Sequence, residues 1–309
     1  MILSVDLNPL LKRKFNLDAI SENNVNIPND VIYGPGGNGI ELTYLLNALN
    51  EEAMSTGFLG GVNGTSIKAK LENETIPHDF LQIKDETAES IIISVKNDEK
   101  IIINSKGPRI TRDEYENFLG LYNKLILSAK MICCVGELPI NTPKDVFFDL
   151  VVNANILGKQ SLIAIKGEGL KYCLEAKPYL VVMEKYQLED LTNLKLDYEY
   201  EIIKAGLFII DKNVKIVVIS LGNRGSIVLT KEFVYRVDVP FVEKQHVEPN
   251  YGYMIGGYAL ALVRNYDFET FLKVGQACGI VNSFKHRDEI DMSDIKRIMG
   301  DIEITKFNY

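Results

Sequence analysis

The 309-residue chain contains no tryptophan, three histidines and four cysteines. His78, His246 and His286 are far apart in sequence, and the cysteines lack paired metal spacing, so no zinc-type ligand set is visible. Cys133 and Cys134 are vicinal, a separation that rarely permits a bridge; with Cys173 and Cys278 they read as reduced core residues. Basic residues are in deficit, 34 Lys and Arg against 42 Asp and Glu, for a formal charge of −8. That balance argues against a nucleic-acid partner, since such binding relies on clustered Lys and Arg to displace counterions. Long apolar runs are missing too. The longest uncharged one, Met254 to Val263, is shorter than a bilayer span, which argues against a membrane partner. The N-terminal MILSVDLNPLLKRK carries its basic residues after the apolar stretch, the reverse of a secretion signal, so the expected location is cytoplasmic.

What remains is an ordinary soluble composition, 46% apolar and 25% charged, with enough length for one large α/β domain or two smaller ones. MILSVDL, MICCVGEL, QSLIAIKG, PYLVVME and VKIVVISLG are short, nearly continuous apolar runs, the pattern of parallel strands buried on both faces. Helical segments lie between them. Thr111 and Glu114 have capping-box spacing, and Thr142-Pro143 places an N-cap and a first-turn proline ahead of KDVFFDLVVNANIL. This βαβα order predicts an open, mostly parallel sheet covered by helices.

Two segments break the alternation. The stretches within 12–34 and 88–105 read as antiparallel β pairs, the second turning at Asn97-Asp98. Their alternation is poor, so both faces are expected to be covered, and a small lid sheet paired with a second copy is the simplest account. No internal repeat or linker appears, which favours one domain with a lid.

Glycines concentrate at three places. YGPGGNGIEL puts Gly34, Gly36, Gly37 and Gly39 directly before a helix, where they let backbone approach a ligand; a plain strand-to-helix turn would read the same. TGFLGGVNGTSIKAKL and VVISLGNRGSIVLT follow in order. The segment HVEPNYGYMIGGYALALV runs from a loop into an apolar helix, yet carries Pro249 and Tyr251 where an anion-binding turn favours small residues with free N–H groups.

Taken with DLNPLL, VGELP and AKPYLVV, this succession resembles the PfkB (ribokinase-like) carbohydrate kinases over essentially the whole chain, and within them the 1-phosphofructokinase and tagatose-6-phosphate kinase branch. The resemblance implies a three-layer α/β/α domain with a mostly parallel central sheet and a β-sheet lid that often forms a homodimer interface. It implies transfer of the γ-phosphoryl of ATP, with Mg²⁺, to a sugar-phosphate hydroxyl.

Residue by residue, the resemblance also implies losses. The family's Gly-Ala-Gly-Asp run, which supplies the catalytic base, falls on Pro249, Asn250, Tyr251 and Gly252, so Gly252 stands at the base position. The aspartate that binds sugar hydroxyls falls on Lys12; the lysine and asparagine of the first glycine loop, beside Gly36 and Gly37, fall on Asn38 and Glu41. The polar lid positions fall on Ala88, Ser90 and Ile92. The Asn-x-x-Glu element falls on Glu184 and Gln187, and the Asp-Thr-Ser-Gly strand end begins at Ala164, Ile165 and Lys166.

Ser220, Gly222, Gly225, Asn250, Gly257 and Asn282 are the positions implied to border a nucleotide, with a structural role for the glycines equally open. No metal ligand set is implied by this chain's own residues. A general base normally contributes about 10² to 10⁴ in rate, so the expectation is a catalytically impaired, ligand-binding or regulatory pseudokinase. The alternative is an active sugar or sugar-phosphate kinase with a relocated base, for which Glu248, His246 and Glu41 are candidates and Tyr253 a poor one. Loss of basic ligands with gain of Glu41 and Glu184 favours a neutral or cationic small ligand over a sugar phosphate.

Overall fold

The computed structural model describes residues 1–95, 100–240, 250–285 and 287–307. The expected turn at Asn97-Asp98 and residues His246, Glu248, Pro249 and His286 lie outside the described residues. In chain order the elements are β1 (Ile2–Asp6), β2 (Leu10–Leu17), β3 (Asp30–Gly36), α1 (Asn38–Ala48), β4 (Ala53–Gly60), α2 (Gly61–Asn73), β5 (Leu81–Ile83), β6 (Ala88–Val95) and β7 (Lys100–Asn104). They continue with α3 (Arg112–Ser128), β8 (Met131–Gly136), α4 (Val146–Ile156), β9 (Gln160–Ile165), α5 (Glu168–Glu175), β10 (Leu180–Glu184), α6 (Lys185–Thr192) and α7 (Glu199–Asp211). The last are β11 (Ile216–Ser220), β12 (Ser226–Leu229), β13 (Val234–Asp238), α8 (Tyr251–Val263), α9 (Phe268–Ile280), α10 (Met292–Gly300) and β14 (Glu303–Phe307).

Among the described residues, ten strands form one sheet in the order β14-β13-β12-β11-β10-β9-β8-β1-β4-β5. From β11 to β5 the pairings are parallel, and β12, β13 and β14 add an antiparallel edge. Side chains alternate between two apolar layers, which is why the strands read as unbroken apolar runs. Leu3, Val5, Ile132, Cys134 and Ile163 pack toward Phe118 of α3, Phe147 of α4 and Ile202 of α7. Ile2, Cys133 and Leu162 pack toward Leu42 of α1, Tyr258 of α8 and Phe271 of α9. The four cysteines are buried free thiols, and burial pushes Cys134 up to about 12.

The second sheet has the order β3-β2-β6-β7. Its outer pairs are antiparallel hairpins joined through a parallel β2/β6 ladder that sets Lys12 opposite Ser90. Within the single chain β7 is exposed along its length, and Val31, Ile32, Tyr33 and Ile102 are open to solvent, so the described residues do not themselves supply the expected cover for both lid faces. The apolar residues responsible for the poor alternation are not buried by this chain's own layers.

The Thr111 capping box forms: Thr111 Oγ1 accepts from the Glu114 N–H at 3.3 Å, and Glu114 accepts from the Thr111 N–H at 2.8 Å. The other cap moves. α4 begins at Val146 with Asp145 as N-cap, and Thr142 Oγ1 has no hydrogen-bond partner among the described residues. Asn141 takes φ 64°, and residues 141–145 spend their turn before the helix begins.

Candidate active site

Strand order reverses between β1 and β8, because the chain builds outward through β4 and β5 on one side and β9 to β11 on the other. In open α/β sheets, the crevice outside the carboxyl ends at such a reversal is where ligands bind. β1 ends there in Asp6, 1% exposed. Its carboxylate accepts from the Gly39 N–H at 2.9 Å and the Asn8 N–H at 3.2 Å. Burial pushes Asp6 up to about 6, Glu137 adds to the rise, and the two backbone donors oppose it. A Cβ on Gly37 would lie 2.6 Å from Asp6 Oδ2, and one on Gly136 would lie 2.9 Å from Oδ1. Both glycines have positive φ, 109° and 89°. The first glycine loop therefore closes over a buried carboxylate. Sequence reading passed Asp6 by; the available signal was one acid inside the apolar run ILSVDL at a strand end.

At Gly252, the expected base position, packing leaves no room for a side chain. Asn250 caps α8, its Oδ1 accepting from the Tyr253 N–H at 3.0 Å, so one amide of that helix start is already occupied. Gly252 sits against the first turn of α1. A methyl group there would overlap the Asn38 carbonyl oxygen and stand 2.8 Å from its carbon and 3.0 Å from the Asn38 Cα. These neighbours are backbone, which has little freedom to yield. The Tyr251 hydroxyl donates to Ser220 Oγ at 3.2 Å, linking the helix start to the end of β11.

Two of the remaining expected site positions, Lys12 and Glu41, pair with each other. Lys12 Nζ, from the lid, stands 2.6 Å from Glu41 Oε1 on α1, and Glu41 is 8% exposed. The Lys12 stem covers Gly36, where a Cβ would lie 2.6 Å from Lys12 Cε. Burial, with the Glu41 carboxylate adding to it, raises the Tyr253 phenol well above the usual phenol range. Arg287 stacks 3.8 Å over the Tyr44 ring and comes within 3.7 Å of Glu74, which also accepts from the Tyr44 hydroxyl. Ser90 is buried beside this group, while Asn38 is half-buried and contributes its backbone to the α8 contact.

On the other side of the crevice, Lys166 Nζ lies 3.3 Å from Glu184 Oε1. Glu184 is the N-cap of α6: it receives the Gln187 N–H, and Gln187 Oε1 accepts from the Glu184 N–H at 3.0 Å. Gln187 Nε2 donates to the Ile165 carbonyl at 2.9 Å. Glu184 and Gln187 thus serve as a helix cap and a strand tie. Of the nucleotide candidates, Ser220, Gly222 and Gly225 form the turn between β11 and β12, where Gly222 has open space and φ 68°. Gly225 could not carry a side chain, since φ is 87° and a Cβ would meet the Val237 backbone. Gly257 is a packing position, its place for a Cβ lying 2.8 Å from Cys278 on α9, and Asn282 is exposed. Among the described residues, no group of three or more His, Cys, Asp or Glu is placed to hold a metal ion.

A family model, pfkB family carbohydrate kinase, matches residues 8–293, and the chain therefore belongs to that family. It is 27% identical over 305 residues to the 1-phosphofructokinase of Borreliella burgdorferi, covering 98% of each chain. Its fold matches a possible 1-phosphofructokinase from Thermotoga maritima with a TM-score of 0.90, at 22% identity and 99% coverage of both chains. Phosphofructokinase-2 from Escherichia coli, solved with substrates and products, matches with a TM-score of 0.84 at 22% identity, covering 97% of this chain and 98% of that one. The expected ribokinase-like architecture, a mostly parallel sheet between helical layers with a small separate sheet, is the one observed.

Proposed function

We propose that this sugar-kinase homologue is catalytically impaired, and that it acts by binding a ligand or a partner rather than by phosphoryl transfer. The observation that carries the reading is Gly252, whose place for a side chain is taken by the Asn38 backbone. Phosphoryl transfer needs an oriented base, donors around the moving phosphoryl and a bound metal. In this crevice Lys12 neutralises Glu41, Lys166 neutralises Glu184, and Asn250 occupies an amide of the α8 start. Glu184 is held by its own helix and by a lysine, so these residues do not fit a magnesium nucleotide.

The two ion pairs also leave little free positive charge for a substrate phosphate. A neutral or cationic small molecule, sugar-like or nucleoside-like, fits this balance better than a sugar phosphate. The exposed Ile32 and Ile102 fall on one face of the lid sheet, in register through Lys14 and Ile92, and support assembly of two copies through that face, since apolar patches mark interaction surfaces.

The alternative, an active sugar or sugar-phosphate kinase with a relocated base, draws support from Asp6, whose value of about 6 is that of a working general base. Against it, both Asp6 oxygens accept backbone N–H groups and glycines close over them. Transfer of labelled phosphoryl from ATP to sugars separates the readings: its absence supports impairment, and its loss in Asp6→Asn or Glu41→Gln would locate a rebuilt base.

A further inference from the structure

Away from the crevice, at the C-terminal end of α6, a cavity of about 590 Å³ opens between that helix, the following loop and α7. Its volume lies within the range of small-molecule sites. Leu191, Leu194, Leu196, Tyr200, Lys204 and Phe208 line it. Leu196 forms a buried floor, whereas Leu194, Tyr200 and Phe208 are 58%, 57% and 54% exposed, three large apolar side chains converging on one depression. Lys204 and Phe208 stand four residues apart on one stripe of α7.

Among the described residues, Glu201, Lys195 and Thr192 at this rim have hydrogen-bond or ion-pair partners within the chain. Glu201 accepts from the Tyr198 N–H at 2.9 Å and from the Tyr200 hydroxyl at 3.2 Å. Lys195 pairs with Asp197 at 3.0 Å, and the Thr192 hydroxyl donates to the Leu188 carbonyl at 2.7 Å. Lys204 forms no ion pair among the described residues; its contact is the Tyr200 ring, 5.7 Å from the ammonium. An ammonium without a counter-ion, set beside apolar walls, complements an anion that carries an apolar body.

We propose that this cavity binds a small amphipathic anion, a carboxylate or sulfonate on a body of one or two rings, with the acid at Lys204 and the body against Leu194, Leu196 and Phe208. The site is separate from the crevice: Glu184 stands just before α6, whose eight residues span about 12 Å at 1.5 Å each.

The test uses two fluorescent probes on the full chain, anionic 8-anilinonaphthalene-1-sulfonate and neutral N-phenyl-1-naphthylamine. The expected result is saturable binding of both. Lys204→Gln should weaken the anion about fivefold, the upper range for an exposed charge pair, and leave the neutral probe unchanged. Phe208→Ala should weaken both. Circular dichroism of each variant verifies the fold. An anionic probe indifferent to Lys204→Gln, probes indifferent to Phe208→Ala, or no saturable binding would each overturn the proposal.

Discussion

Replacing Gly252 with alanine tests the steric basis of the proposed function. In an exposed, unobstructed helix the change stabilises by about 0.5 to 1 kcal/mol through backbone entropy. Gly120, in the middle of α3 with nothing within 4 Å of its Cβ position, offers that reference. At Gly252 the added methyl overlaps the Asn38 carbonyl, so α8 and α1 must separate. Overpacking of this kind costs typically about 1 to 3 kcal/mol. Gly252→Ala should therefore be destabilised by about 1 to 2 kcal/mol after the propensity gain, and Gly252→Asp by more, without phosphoryl transfer appearing in either. Denaturant unfolding of the wild type, Gly120→Ala and Gly252→Ala under one buffer gives the comparison. If Gly252→Ala gains stability as Gly120→Ala does, the helices are not in the described contact and the blocked-base argument fails.

Asp6 makes a pH-dependent contribution of known sign. Its carboxyl rises from an ordinary 3.8 to about 6 on folding, so the folded state holds the proton more tightly, and stability from this group falls as pH rises from about 4 through about 6. The gap corresponds to about 3 kcal/mol; the stability difference between wild type and Asp6→Asn, measured at pH 4 and pH 8, should shift by up to that amount in the variant's favour. For Lys12 and Glu41, a double-mutant cycle with Lys12→Met and Glu41→Gln should give a coupling of about 0.5 to 1 kcal/mol, reduced in high salt because Lys12 is partly exposed. Ile102→Glu on the lid should convert a dimer to a monomer in analytical ultracentrifugation; an unchanged sedimentation coefficient contradicts assembly through that face.

The fold was legible because parallel strands buried on both faces leave unbroken apolar runs, as in MICCVGEL and VKIVVISLG, and because the helices between them announce their starts. Thr111 and Glu114 did so through a local motif, while Thr142-Pro143 misled, since a cap and a turn use the same residues and only the chain's path into α4 distinguishes them. In the site, each expected position could be named singly from the sequence, but the contacts between them could not. Lys12 and Glu41 are 29 residues apart, and Lys166 meets Glu184 across neighbouring strands, contacts that only the fold assembles. Asp6 was illegible for a different reason: its chemistry comes from burial under Gly37 and Gly136, which composition does not reveal.

The most direct measurement is ATP turnover by the purified protein with fructose 1-phosphate, tagatose 6-phosphate, fructose 6-phosphate and unphosphorylated sugars, beside an active member of the family. The account predicts no sugar-dependent turnover above background while the control works and the protein is folded. Sugar-dependent turnover comparable to the control would contradict it.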